Sequence, residues 1–275
     1  MKATIVVGVD ESAASTRAVE FAAHEAALRD CRLRLLHACL YPGLHETWSD
    51  PNTEPLDRIE KVMRQNAERA RVIVPALDVT TAVVIEDPVA ALVRESQDAV
   101  ALVVGSHGFG GFSELMVGST GVELSTHAHC PVFVTRGRSQ PDSPVIVGID
   151  GADPAVIEFA CAEASFRHAD LVALHAWNRW TSPVDMGLAD VAPGIYQGDA
   201  LHDSEERVLS EAMAGWSEKY PDVPIHHRLV HRHTRQALIE ASEHAGLMVV
   251  GARGQGGFTG LLLGSTSQAV LHHAQ

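Results

Sequence analysis

A chain of 275 residues, 46% of them hydrophobic, is long enough for two ordinary domains, each with a core of its own. Its formal charge of −14, divided as −5 and −9 on either side of Ser139, excludes general binding to nucleic acid, which needs a basic surface to replace phosphate counterions. No apolar run reaches the roughly 18 residues of a membrane span, and Met1 leads directly into the strand-like ATIVVGVD with no signal peptide, so a cytoplasmic protein without membrane contact is expected.

Residues 3–9 form a short β-branched run that ends in Gly8-Val9-Asp10, and residues 145–149 repeat it, ending in Gly148-Ile149-Asp150. The repeat predicts one fold used twice, in domains at 1–138 and 144–275 joined by a linker over 137–144. Ala-rich helices follow at 14–29 and 154–168, the first capped by Ser12 and the second started by Pro154 after Asp153. Strands RLRLLHA (32–38) and LVALHAW (171–177) come next. The irregular stretches 41–55 and 178–199, long for plain connections, are expected to cover a site. Ile59, Val62, Met63, Ala67, Ala70 and Val74 keep helical spacing, as do Val208, Leu209, Ala212, Met213 and Trp216, and both sets read as core faces. Third strands at 79–85 and 225–230 lead to helices at 89–97 and 236–243, then to apolar strands at 101–104 and 247–250. A fifth strand at 131–135 closes the first half, and the second half stops at Gln275 without one. Strands alternating with helices make parallel βαβ units. The expected fold is therefore two tandem doubly wound, Rossmann-like α/β domains with parallel sheets, the second lacking its last strand.

The most distinctive stretch is GSHGFGGFSELMVGST at 105–120, which returns as GARGQGGFTGLLLGST at 251–266. Each copy follows an apolar strand, precedes a helix and reads Gly-x2-Gly-x9-Gly-Ser. Glycines can take the positive φ that turns successive N–H groups into one concavity, and a hydroxyl pair opening a helix adds donors at its positive end. That is what a phosphate needs. The candidate residues are Gly105, Ser106, His107, Gly108, Phe109, Gly110, Gly111, Gly118, Ser119 and Thr120, with Gly251, Ala252, Arg253, Gly254, Gln255, Gly256, Gly257, Gly264, Ser265 and Thr266. If the first and fourth strands are neighbours, Asp10 shares a crevice with the first loop and Asp150 with the second. From the residues alone, the glycines could equally serve a tight turn and Asp10 could cap the next helix.

Other chemistries fit less well. The chain has no G-x-x-x-x-G-K-[ST], the glycines follow the fourth strand rather than the first, and VGVDESAAS lacks a nucleophile elbow. His226, His227, His231 and His233 suggest a metal, but neighbours on a strand face opposite ways and no carboxylate or cysteine completes a set. Cys31, Cys39, Cys130 and Cys161 show no C-x-x-C spacing and are expected as buried thiols.

Taken together, the VVGVD and VIVGID openings, with Gly8 and Gly148, the two LHA strands, both glycine loops and the closing HAHCPVFV and HHA segments resemble the universal stress protein family, in its tandem form and its ATP-binding branch. The resemblance covers nearly the whole chain and implies an adenine nucleotide alpha hydrolase-like fold that binds ATP. It implies that Asp10 and Asp150 hold ribose hydroxyls or a Mg2+ or Mn2+ ion carried by the nucleotide. Adenine would pack by Ala38 and Ala176, and the phosphates would lie against the two loops. The function implied is nucleotide-dependent regulation in a stress response, with protein partners the sequence does not name. The alternative is a slow ATPase or phosphoryl transferase; catalysis needs positioned charge and an activated nucleophile, and the loops offer only His107 and Arg253, unmatched between halves, so no catalytic residue is assigned. A flavin carrier would stack its ring on an aromatic, and neither loop has a Trp or Tyr. Two departures stand out. The first half has His107 and Phe109 where the second has Arg253 and Gln255, which predicts a weaker first site; the absent fifth strand leaves an apolar edge that the first half's fifth strand, the linker or another chain could cover, and self-association as a homodimer is expected.

Overall fold

The computed structural model describes residues 2–40, 55–106, 118–137, 143–150, 153–178, 198–253 and 263–274. The chain divides into two compact units, Met1–Gly137 and Arg138–Gln275. The first runs β1 (Thr4–Gly8), α1 (Ala13–Leu28), β2 (Arg32–Ala38), α2 (Pro55–Ile73), β3 (Val79–Val84), α3 (Pro88–Glu95), β4 (Ala101–Gly105), α4 (Ser119–His127) and β5 (Val132–Thr135). Its five strands are all parallel, in the order β3-β2-β1-β4-β5. The second runs β6 (Val145–Gly148), α5 (Pro154–Arg167), β7 (Leu171–Trp177), α6 (Gly198–Ala212), the single turn α7 (Trp216–Lys219), β8 (Ile225–His231), α8 (Thr234–Ser242), β9 (Leu247–Val249) and α9 (Ser265–His273). Its sheet is parallel in the order β8-β7-β6-β9 and has four strands among the described residues.

The central strands are buried on both faces, as a parallel sheet between two helical layers requires. In the first unit Val6, Leu36, Leu102 and Val104 meet Ala91 and Leu92 of α3 and Leu124 of α4. In the second, Val145, Val147, Leu171 and Ala173 meet Ile157 and Cys161 of α5 and Leu209 of α6, while Ile146, Leu174 and Ala176 meet Leu238 of α8 and Val270 of α9 on the opposite face. Helix α1 buries Ala14, Ala18, Ala22, Ala23 and Ala26, side chains small enough to bring its backbone close to the sheet. Ser12 starts it, its hydroxyl accepting from the Ser15 N–H at 3.0 Å. In α5 the same task falls to Asp153, which accepts from the Ala155 N–H at 3.0 Å ahead of Pro154.

Some expectations are corrected in detail. Helix α5 stops at Arg167, because His168 takes the left-handed conformation, φ 51°, that closes a helix. Val208 is exposed beside the buried Leu209, since adjacent helical residues diverge by about a hundred degrees. All four cysteines are unpaired thiols; Cys31 and Cys161 are buried, but Cys39 and Cys130 are half-buried. Burial pushes the Cys130 and Cys161 thiols up to about 11.

Candidate functional site

In each unit the winding reverses beside the first strand. β1 pairs with β2 on one side and β4 on the other, with Val7 opposite Val103; β6 lies likewise between β7 and β9, with Val147 opposite Val249. The switch point opens a crevice at the carboxyl ends of these strands. Asp10 follows β1 beside Ser106 at the end of β4, and Asp150 follows β6 beside Gly251 after β9. His107, Gly108, Phe109, Gly110 and Gly111 lie outside the described residues, as do Gly254, Gln255, Gly256 and Gly257.

Both loops are closed by the same bond. The Gly118 N–H donates to the Ser106 carbonyl at 2.8 Å, and the Gly264 N–H donates to the Ala252 carbonyl at 2.8 Å. This bond delivers the chain to the first turn of α4 or α9 right beside the strand end. Gly118 and Gly264 are the N-caps of those helices and supply no side-chain acceptor, so Ser119, Thr120, Ser265 and Thr266 open helices whose leading donors are not capped from that position. In the second unit the Ser267 hydroxyl also donates to the Gly251 carbonyl at 2.5 Å; Gly121 stands at the equivalent place in the first.

The described glycines of the loops do their work without positive φ. Among the described glycines, positive φ occurs at Gly137 and Gly215, not at Gly105, Gly118, Gly251 or Gly264. Gly105 is instead a point of close approach, where an added Cβ would stand 2.9 Å from the Ala14 carbonyl carbon of α1. At Gly251 it would meet the Arg253 carbonyl oxygen at 3.2 Å, and at Gly264 it would find ordinary contact at 3.4 Å. Gly8 and Gly148 make room for core leucines, with Leu92 and Leu238 methyls at 3.2 and 3.1 Å from their missing Cβ positions.

Asp10 is not the cap of α1. Its Oδ1 accepts from the Ser12 N–H at 2.9 Å and the Ser12 hydroxyl at 2.5 Å, and the Ser15 hydroxyl donates to its carbonyl at 2.7 Å. The carboxylate is thus part of the turn that starts the helix, half-buried at the crevice wall, while Asp150 is exposed. Two residues not assigned from sequence support these turns. His37 Nδ1 lies 2.9 Å from the Val9 carbonyl and His175 Nδ1 lies 2.9 Å from the Ile149 carbonyl, each one residue before the aspartate. The signal was the histidine repeated in both LHA strands.

The second unit has an open cleft of about 600 Å3 lined, among the described residues, by Asn178, His233, Thr234, Arg235, Gln236, Ser265 and Thr266. It joins the amino ends of α8 and α9. His233 caps α8 without a side-chain bond to the helix and meets the Asn178 amide at 2.9 Å, and the Thr234 hydroxyl donates to the Ala176 carbonyl at 3.2 Å. At the corresponding place α3 carries Asp87, whose carboxylate accepts from the Ala90 N–H at 3.0 Å. The second cleft is therefore the more favourable for an anion. Asp150 and the exposed Arg253 stand outside this lining, and Ala38 is half-buried at the end of β2. Two histidines of β8 are engaged separately: His226 with Asp170 at 2.9 Å, and His231 against the Trp177 ring at 4.4 Å. No three His, Cys, Asp or Glu among the described residues gather as a metal site, and no helix among them is long and apolar enough to cross a membrane.

Comparison with known proteins bears on the same two units. The profile of the universal stress protein family matches residues 1–136 and again 143–275. A universal stress protein of Mycobacterium tuberculosis (strain ATCC 25618 / H37Rv) is 38% identical over 295 aligned residues, covering 98% of this chain and 93% of the relative. One from Mycolicibacterium smegmatis is 37% identical, covering 98% and 94%. The crystal structure of a universal stress protein from Archaeoglobus fulgidus superposes with a TM-score of 0.70 at 18% identity, over 98% of this chain and 95% of that one, a likeness of fold. The chain belongs to the universal stress protein family.

Proposed function

We propose that this protein binds ATP at the carboxyl end of each sheet and works as a nucleotide-dependent regulatory protein of the stress response. The observation that carries the reading is the duplicated loop closure. In both units one backbone bond of 2.8 Å ties the end of a glycine loop to the strand beside the crevice and presents a helix amino end opening with Ser-Thr. Donors arranged in this way suit phosphate oxygens, and the negative charge of the ligand is favoured at the helix dipole. Adenine has the apolar strand ends at Ala38 and Ala176, and the ribose diol has the carboxylates of Asp10 and Asp150. A divalent cation, Mg2+ or Mn2+, would arrive with the nucleotide and offset the repulsion between its phosphates and those carboxylates.

Occupancy then shifts the population of conformations or the choice of protein partner. Four unpaired cysteines suit a reducing cytoplasm, where ATP is at hand. A second copy of the chain is the partner proposed for the outer edge of β9, an apolar strand paired on one side to β6 among the described residues. Mass spectrometry of what co-purifies, followed by incubation, tests the reading. The expected result is ATP released on denaturation and no build-up of ADP. Protein that comes without nucleotide and gives no calorimetric signal with ATP would overturn it.

A further inference from the structure

The buried positions Ile59, Met63, Asn66 and Ala67 of α2 return at the same spacing as Glu205, Leu209, Ala212 and Met213 along and just after α6, in step with the strands β3 and β8 that follow. A carboxylate thus stands in the second unit where the first has an isoleucine. Burying it costs free energy unless a partner meets it. The partner is His175 of β7, whose Nε2 lies 2.7 Å from Glu205 Oε2, while both residues are 8% exposed. The other ring nitrogen faces the Ile149 carbonyl, which can only accept, so Nδ1 carries a proton and donates it. One further proton lies between Nε2 and the carboxylate, on one partner or the other. Ile149 is consequently held twice, through its N–H to the Leu174 carbonyl at 2.9 Å and through its carbonyl to His175. The next residue is Asp150.

His37 holds Val9 in the same manner in the first unit, but there the residue at the Glu205 position is Ile59, which has no group to orient the ring. Helix α6 adds one more contact to the same end of β7, with the His202 ring edge-on to Trp177 at 6.5 Å. We infer that Glu205 is a positioning residue for the second site: by fixing His175 it sets the Asp150 turn, so that the seating of α6 on β7 and ligand affinity in that unit are one coupled equilibrium. The inference rests on the crevice being the nucleotide site proposed above.

Glu205→Gln, Glu205→Met and the double variant His175→Phe/Glu205→Met test it, the last replacing both polar partners together so that no buried charge is stranded. Two measurements are made on each: exchange of the Ile149 amide, the N–H bonded to the Leu174 carbonyl, in nucleotide-free protein, and calorimetric titration with ATP. In Glu205→Gln an amide N–H donates to neutral Nε2, so exchange and affinity stay as in the wild type. In Glu205→Met and in the double variant exchange at Ile149 quickens and second-site affinity falls about tenfold, within the usual range of coupling between sites, with the first site unchanged. The double variant should unfold at or above the wild-type temperature, which separates positioning from loss of stability. Wild-type exchange at Ile149 in both Met-containing variants, or failure of Glu205→Gln to preserve it, would overturn the inference. If the wild type binds no ATP, the nucleotide reading falls, and the exchange measurement by itself decides whether Glu205 sets the turn.

Discussion

Gly105 and Gly264 occupy matched loops but answer to different constraints. A methyl group at Gly105 would press on the backbone of α1 at 2.9 Å, and backbone cannot swing aside as a side-chain tip can. Gly105→Ala should therefore cost about 1–3 kcal/mol in urea unfolding. Gly264 has φ −68° and ordinary space around it. Gly264→Ala should leave stability within about 0.5 kcal/mol while a bulkier residue there removes nucleotide from the second unit, as one at Gly118 should from the first. Unchanged ATP stoichiometry would contradict the site. The spacing of these glycines was legible in the sequence, but their backbone angles were not: nothing in the letters distinguishes a glycine that turns the chain from one that admits a neighbouring helix. The thiol of Cys161 gives a second prediction at this scale. Burial raises it from 9.0 to about 11, so the folded state holds the proton more tightly than the unfolded state. Its stabilising contribution is complete below pH 9 and is lost as pH rises towards 11. Unfolding measured across that window should show a shallower decline in Cys161→Ala than in the wild type.

Helix α1 shows how one element joins stability to the site. Ser12 accepts from the Ser15 N–H and also donates its hydroxyl to Asp10. Ser12→Ala should cost about 1 kcal/mol in chemical denaturation and weaken first-site binding as well, because the carboxylate loses a partner that fixes it. Asp153→Ala in α5 should show the stability cost without as large a loss of binding, since Asp153 caps its helix three residues after Asp150. Equal binding losses would show that the Ser12 contact does not position Asp10. Elements like these were legible to the residue where composition changes sharply: Ser119 and Ser265 begin helices directly after a glycine, and β2 and β7 are bounded as read. Cap chemistry was harder, because Asp10 and Ser12 are both good caps and only the three-dimensional turn decides between them. The roles of His37 and His175 were hidden for a related reason. Each reaches a carbonyl on the neighbouring strand, and a pairing between strands 26 or 28 residues apart becomes visible only once the sheet order is known.

At the scale of the whole molecule, two copies of one fold have diverged at the places where charge meets the crevice. The first carries Asp87 at the amino end of α3, and the second carries His233 and Arg235 near the amino end of α8 and Arg253 beyond β9. ATP should bind the second unit more tightly, since a guanidinium offers forked donors to phosphate and a cap carboxylate repels it. Calorimetry that finds equal sites, or a tighter first one, would contradict this. The loop closure allows a sharper version of the experiment. The residues between Ser106 and Gly118 and those between Ala252 and Gly264 are equal in number and are anchored by the same 2.8 Å bond, so exchanging 107–117 for 253–263 leaves the loop-closure entropy nearly unaltered. The exchange then trades two sequences of one length between the same closing bonds. A fold divided in this way lets ligand preference drift in one half while the other keeps its ancestral setting, and the exchanged chain should carry its affinity along with the transferred segment.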